Sequence, residues 1–384
     1  MNVLMVAYTF YEADNRVRRY AETLARRGDV VEAIALRQKG QPFKATLNGV
    51  TVYRIQGREI NERTKFDYLF RILLFLFNST IFIGLRHLRK KYKMIHIHSV
   101  PDFEVFAAII PKIFGAKVIL DIHDIVPEFY ASKFHSGADS LLSKALKVIE
   151  RICCSFSDHV IISNHIWGER LVERSVPKRK CSVILNYPDT HIFNRTRLKE
   201  DSGKFILMYP GTIAWHQGID LAVRAMAILK EKNPAIEFHI YGKGPEENNV
   251  IKLIEELGVG STVKVLGGAS MEKIAEKMMS VDLGVVPKRG DNFGGEAFST
   301  KILEFMALGV PVLIAETRID RYYFNEDLVT FFKGGDERDL AEKILFLSNN
   351  KPYLKEQIAR TSAYIEKNNW EAKKHEYFDL IAAL

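Results

Sequence analysis

Short apolar runs alternate with amphipathic stretches along almost the whole chain, and that alternation leaves few architectures open. Runs at 3–8 (VLMVAY), 30–36, 50–55, 94–98, 117–122 and 159–163 read as strands. Helical stretches fall between them, near 15–27, 66–91, 102–114, 138–156 and 165–175. The polar segment RTRLKEDSGK (195–204) interrupts the series. A second series then follows, with strands at 205–210, 236–242, 262–267, 282–287 and 310–315, and helices near 218–232, 246–257, 270–280 and 299–308. Strand–helix alternation with near-continuous apolar strands predicts mostly parallel sheets covered by helices on both faces. The expectation is an α/β protein with two Rossmann-like, doubly wound domains. The first covers 1–198 and the second 199–365, and the tail at about 366–384 reads as a final helix. Ligands of such sheets bind beyond the carboxyl ends of the strands.

Composition narrows the partners. The chain has 384 residues, 47% hydrophobic and 27% charged, as in ordinary globular domains. Its net charge of +8 is compatible with nucleic acid, an anionic membrane surface or an anionic substrate. No RNP-like string, zinc-finger spacing or basic–aromatic repeat is present, so nucleic acid is not expected as a partner. Cys153, Cys154 and Cys181 form neither a disulfide framework nor a metal spacing. The opening MNVLMVAYTF reads as a first strand and not as a signal peptide, which makes a cytoplasmic location the expectation.

The chemistry concentrates at 294–316, GGEAFSTKILEFMALGVPVLIAE. A glycine-rich turn leads into a short helix and then a buried strand. A helix N-terminus offers unpaired N–H groups and the positive end of its dipole, which suits phosphate. Lys301 adds a full charge there, and it shares one helix face with Glu304, three residues on. Glu296 lies ahead of the helix and can reach another part of the same ligand. Phosphate at one end and hydroxyls elsewhere describes a sugar nucleotide. The alternative is a set of solvated side chains around a core helix.

The E-x7-E spacing of Glu296 and Glu304, inside this string, resembles the signature of retaining glycosyltransferases of family 4, which have the GT-B fold. The resemblance implies that Glu296 contacts the donor sugar and Glu304 the nucleotide ribose, and that the first domain, 1–198, is completed by the C-terminal helix at about 366–384. It also covers YPGTIAWHQGIDL (209–221), where Gly211, Thr212, His216 and Gln217 fall in the donor loop, and IYGKGPEE (240–247), where Gly242 and Gly244 line its nucleotide side. The family usually places an Arg and a Lys where this chain has Thr212 and Gln217. Two cations for the diphosphate are therefore missing, and Lys301 is the first replacement, with Lys288 and Arg289 behind it.

In LDIHDIVPEFY (120–130), His123 follows a strand, and Pro127 is expected to end the local regularity. The resemblance implies a place for His123 near the donor sugar; the alternative is a structural turn histidine. Arg16, in DNRVRR, is a candidate phosphate or acceptor contact or else a surface arginine. Its helix is capped by Asp14 or Asn15. His96 and His98 share one strand face; His98 is read as a cleft residue and His96 as a core one. Without third and fourth ligands at fitting spacing, no metal or other cofactor is expected. The expected partners are a nucleotide-sugar donor and a sugar or lipid-linked sugar acceptor. Segment 66–93, rich in Phe, Leu and Ile with a basic end, reads either as a core helix or as an interfacial helix on an anionic membrane. It is expected to be too short in apolar residues to span one. The rival activities are an epimerase on the same fold and a non-catalytic sugar-nucleotide-binding membrane partner.

Overall fold

The computed structural model describes residues 1–58, 65–134, 140–196, 203–290 and 293–384. The chain divides into two compact units, Met1–Asn186 with Glu376–Leu384, and Tyr187–His375. The expected boundary at 198/199 falls within 197–202, outside the described residues.

The first unit carries β1 (Asn2–Ala7), β2 (Val30–Arg37), β3 (Lys44–Leu47), β4 (Val50–Gly57), β5 (Met94–His98), β6 (Lys117–Ile122), β7 (His159–Ile162) and β8 (Cys181–Val183). They form one sheet in the order β3-β4-β2-β1-β5-β6-β7-β8, parallel except for the β3–β4 hairpin. Its helices are α1 (Asn15–Arg26), α2 (Lys65–Lys90), α3 (Ile109–Ile113), α4 (Val126–Phe134), α5 (Leu141–Phe156) and α6 (His165–Arg174). Strand order reverses at β1, where successive strands run outward on either side. This is the switch point at which such sheets bind ligands. Right-handed crossovers put α2, α3, α5 and α6 on one face and α1 on the other.

Two expectations change here. Residues 102–108 form a 3-10 turn, and only Ile109–Ile113 is α-helical. Pro127 does not end the local structure but stands in the first turn of α4. Proline's missing N–H costs nothing there, because first-turn donors have no intrahelical acceptor.

The second unit carries β9 (Phe205–Pro210), β10 (Ile236–Tyr241), β11 (Val263–Val265), β12 (Leu283–Val286), β13 (Val312–Ala315) and β14 (Thr330–Phe332). They pair in parallel in the order β11-β10-β9-β12-β13-β14. Its helices are α7 (Ile219–Leu229), α8 (Glu247–Glu256), α9 (Met271–Met278), α10 (Thr300–Ala307), α11 (Arg318–Tyr323), α12 (Glu337–Asn349) and α13 (Lys351–Lys367). A final helix, α14 (Trp370–Ala383), carries the chain from this unit back to the first.

Leu207, Ile240, Val285 and Leu313 belong to one buried cluster, joined by Val223 and Met226 of α7 and Leu340 and Ile344 of α12. Placement of α10 depends on one close approach. A Cβ at Gly284 would stand 2.4 Å from the Phe305 ring, so the missing side chain lets α10 settle on β12. Burying Phe305 stabilises that contact by about 1.5–3 kcal/mol.

Candidate functional site

The second unit gathers its chemistry where β9, β10 and β12 end. The loop after β9 begins at Gly211, and the loop after β10 begins at Gly242. These backbones lie against each other: Gly211 N–H donates to Tyr241 O at 2.7 Å, and Ile213 N–H to Lys243 O at 3.0 Å. Gly242 has φ of 151°, and a Cβ there would stand 1.8 Å from the Gly211 carbonyl oxygen. Only glycine permits that stacking. Gly244 and Glu246 continue it, with Glu246 N–H donating to Ile213 O at 3.0 Å.

Lys301, second residue of α10, reaches back over this floor. Its Nζ lies 5.3 Å from the Tyr209 ring centroid and beside Gly211. Among the described residues, no hydrogen bond or ion pair engages it. Burial lowers its pKa, with Lys288 adding to the shift and Glu304 opposing it. A cation kept from water and left unpaired gains most from an anionic ligand. Glu304 lies one turn further along α10. Gln217 accepts from the Tyr209 hydroxyl at 2.9 Å, Thr212 is exposed, and His216 meets the Phe293 ring edge-on at 6.1 Å.

Glu296 is nearly buried, in the turn ahead of α10, where its Oε1 accepts from Arg318 Nη1 at 3.0 Å. That turn is braced from behind. Lys288 is buried; its Nζ donates to Ala297 O at 2.7 Å and pairs with Asp320 at 2.9 Å. Ile319 N–H donates to Gly295 O at 3.0 Å. The structure therefore corrects two expected phosphate contacts. Lys288 is a brace for the Glu296 turn. Arg289 is bound by both nitrogens to Asp220, at 3.0 and 2.7 Å, and stacks 4.7 Å from the Trp215 ring centroid. Of the three cations considered as replacements, Lys301 alone is left uncommitted among the described residues.

The first unit has a separate polar cluster at the ends of β5 and β6. Cross-strand register sets Asp121 opposite His98, and the two-residue period places His123 on the same side. Asp121 is wholly buried and binds Arg16 through both oxygens, each at 2.7 Å. Its Oδ2 also lies 3.1 Å from His98 Nδ1 and 3.2 Å from His123 Nε2. Burial alone would raise this carboxyl; the Arg16 guanidinium, then His123 and His98, hold it well below the usual range. Burial lowers the pKa of both His98 and His96.

Three expectations change with this cluster. Arg16 is not offered to a phosphate: it is buried against Asp121 and donates to Ile184 O at 2.9 Å. His98 is almost wholly buried and serves the cluster, while His123 is the partly exposed member. The expected lack of a third metal ligand also fails, because His96, His98 and Asp121 bring donor atoms within 4.8 Å of one another. Arg16 already occupies both Asp121 oxygens. His96 is the core histidine expected, with Nδ1 2.8 Å from the Tyr377 hydroxyl. Asp14 is the cap of α1, accepting from Arg16 N–H and Val17 N–H at 3.1 Å. The central role of Asp121 escaped sequence reasoning, although its spacing from His123 was a usable signal.

Two parallel-sheet units of this kind, with glycine-rich loops and an E-x7-E string at the strand ends, define a GT-B glycosyltransferase. Residues 191–366 match the family described as glycosyl transferases group 1, and residues 13–186 match the glycosyl transferase 4-like domain. The chain belongs to this family of glycosyltransferases. A putative colanic acid biosynthesis glycosyltransferase of Escherichia coli is 24% identical over 157 residues, 41% of this chain and 39% of that protein. The alpha-D-kanosaminyltransferase of Streptomyces kanamyceticus is 27% identical over 44% of this chain and 43% of its own length. The chain thus spans less than half the length of these relatives. Sucrose-phosphate synthase from Thermosynechococcus elongatus superposes with a TM-score of 0.79 at 18% identity, covering 100% of both chains. Anabaena HepE, in complex with UDP and glucose, gives 0.74 at 13% identity, covering 99% of both.

Proposed function

We propose that this glycosyltransferase moves a sugar from a nucleoside-diphosphate sugar to an acceptor hydroxyl, with retention at the anomeric carbon and without a metal. The acceptor is a sugar, free or lipid-linked, in the assembly of a surface polysaccharide or glycolipid at the inner face of the cell membrane. The observation that carries this reading is the uncommitted, half-buried Lys301 above the Gly211–Gly242 floor, one helical turn from Glu304. Support for the donor class comes from HepE, whose fold is shared and whose structure holds UDP and glucose. The surface-polysaccharide setting draws on the colanic acid relative.

Bond breaking leaves negative charge on the departing diphosphate. Lys301 answers that charge where it develops, which is the most productive place for a fixed cation. Glu304 holds the ribose hydroxyls. Glu296, fixed by Arg318 and the Lys288 brace, orients the donor sugar. His123, held by Asp121, serves the sugar or the acceptor hydroxyl. Orientation of two bound substrates supplies the rest of the rate.

The test is release of nucleoside diphosphate from a panel of nucleotide sugars, with and without sugar acceptors and with and without EDTA. Transfer that needs an acceptor, withstands EDTA and keeps the donor's anomeric configuration in the NMR coupling supports the reading. Glu296→Ala then loses most turnover while melting near the wild type. Wild-type turnover in that variant, or donor breakdown to a free epimer without acceptor, contradicts it.

A further inference from the structure

Helix α2 is apolar on two sides. Ile72, Phe75, Ser79 and Ile83 form a buried stripe toward the sheet. Phe66, Phe70, Leu73, Phe77, Leu85 and Leu88 form an opposite stripe that is exposed, Phe66 to 84%. At 26 residues the helix is about 39 Å long. This corrects the sequence reading that the segment is too short: by length and composition Phe66–Lys90 could cross a membrane. Its inner stripe, however, is already packed within the first unit, and His87 stacks on Phe114 beyond α3 at 6.0 Å between ring centroids. Spanning would strip those contacts away.

The exposed apolar surface does not stop at α2. Ile113 and Phe114, at the end of α3, are exposed. So are Leu141, Val148 and Ile152, a stripe at helical spacing on α5, with Leu141 at 86%. The three helices lie on the same face of the sheet. Phe106, in the turn before α3, meets Phe156 of α5 at 5.2 Å between centroids, which makes the helical layer continuous. The flanking charge is of one sign. On α5, Lys144, Lys147 and Arg151 run beside the apolar stripe, and its single acid, Glu150, is buried against Arg174. On α2 the single described acid, Asp67, is paired with Arg71 at 3.0 Å, Arg86 is taken up inside the unit by Glu32, and the helix ends in Arg89 and Lys90.

We infer that the outer face of α2, α3 and α5 is a docking surface for an anionic lipid bilayer, on which the protein lies without crossing it. This deepens the membrane clause of the function proposed above and rests on it. Large apolar side chains interleaved with one sign of charge suit insertion among acyl chains with cations at the headgroups. They do not suit a second copy of the chain, which would bring like charges together.

The test uses the full chain with vesicles of phosphatidylcholine alone or mixed with phosphatidylglycerol, separated by sedimentation. Binding is expected to the mixed vesicles only, and to weaken several-fold at high salt. Phe70→Glu with Phe77→Glu, and separately Lys144→Glu with Lys147→Glu, each lower vesicle affinity by about tenfold or more. Turnover on a soluble acceptor in the same variants should match the wild type, so loss of vesicle binding and failure of the enzymatic reading are told apart. The inference is overturned if vesicles are not bound, or if either variant binds as the wild type does. It is equally overturned if light scattering shows a dimer that these substitutions split, since a second copy then covers the face.

Discussion

Replacing Lys301 with methionine keeps the length of the side chain and removes its charge. In this structure Lys301 has no hydrogen-bond or ion-pair partner among the described residues, and burial lowers its pKa. Lys301→Met therefore breaks no hydrogen bond or ion pair, gives up only the ammonium's contact with the Tyr209 ring and its attraction to Glu304, and relieves the cost of holding a cation away from water. Its melting temperature should equal or exceed that of the wild type. The loss should appear with ligand. A hydrogen bond to a charged group contributes about 1.5–3 kcal/mol, or roughly tenfold to 150-fold in rate at 1.36 kcal/mol per tenfold. The assay is kcat/KM for nucleoside diphosphate release, beside affinity for the bare nucleoside diphosphate. If the cation works mainly on developing charge, kcat falls more than the affinity does. A second substitution reaches the same atoms from below. A Cβ at Gly211 would stand 2.4 Å from Lys301 Cε and 3.0 Å from Nζ, so Gly211→Ala must displace the lysine and should reproduce the defect. A Lys301→Met enzyme within threefold of wild type on the true donor would refute the argument; so would a large drop in melting temperature, which would mean that Lys301 is structural.

Further outcomes follow from the same geometry. Asp121→Asn leaves Arg16 buried and charged with a weaker partner, so urea denaturation should show a loss of about 3–5 kcal/mol; a loss below about 1 kcal/mol would mean that the pair does not hold the cluster. Glu296→Ala removes a pair whose arginine is 65% exposed, so its stability cost should stay below about 1 kcal/mol while activity collapses. Burial pushes the Glu104 carboxyl up to about 8. The folded chain keeps a proton that the unfolded chain releases near pH ~4.3, so the stabilisation is whole below that pH and is lost as pH rises through about 8, at ~1.4 kcal/mol per unit. Glu104→Gln stays neutral throughout; its stability between about pH 5 and about pH 9 should fall less than that of the wild type, and equal slopes would exclude the assignment.

What could be read without coordinates was whatever the chain states locally. Strands buried on both faces are continuous apolar runs, which is why 3–8 and 117–122 were recognisable as Asn2–Ala7 and Lys117–Ile122. Lys44–Leu47 alternates between exposed and half-buried positions on a sheet edge, and Thr330–Phe332 is only three residues long; neither leaves a pattern. Helix α4 was hidden because proline reads as a stop unless its place in the first turn is known. The Glu296–Lys301–Glu304 string lies in one turn and helix, so its grouping was legible. The fate of the other charges was not, because it depends on distant partners. Arg16 meets Asp121 across 105 positions, and Arg289 meets Asp220 across 69. An arginine near a helix start has the same sequence signature whether it awaits a phosphate or is already bound to a carboxylate.

The measurement that most directly tests the donor site is thermal shift with a panel of nucleoside diphosphates, with and without EDTA, on the wild type, Lys301→Met and Glu304→Ala. A ligand that binds the folded state alone raises its melting temperature. A clear shift with one nucleotide, unchanged by EDTA and lost or much reduced in both variants, is the predicted result. A shift that EDTA abolishes, or that both variants retain in full, would contradict a metal-free donor site built on α10.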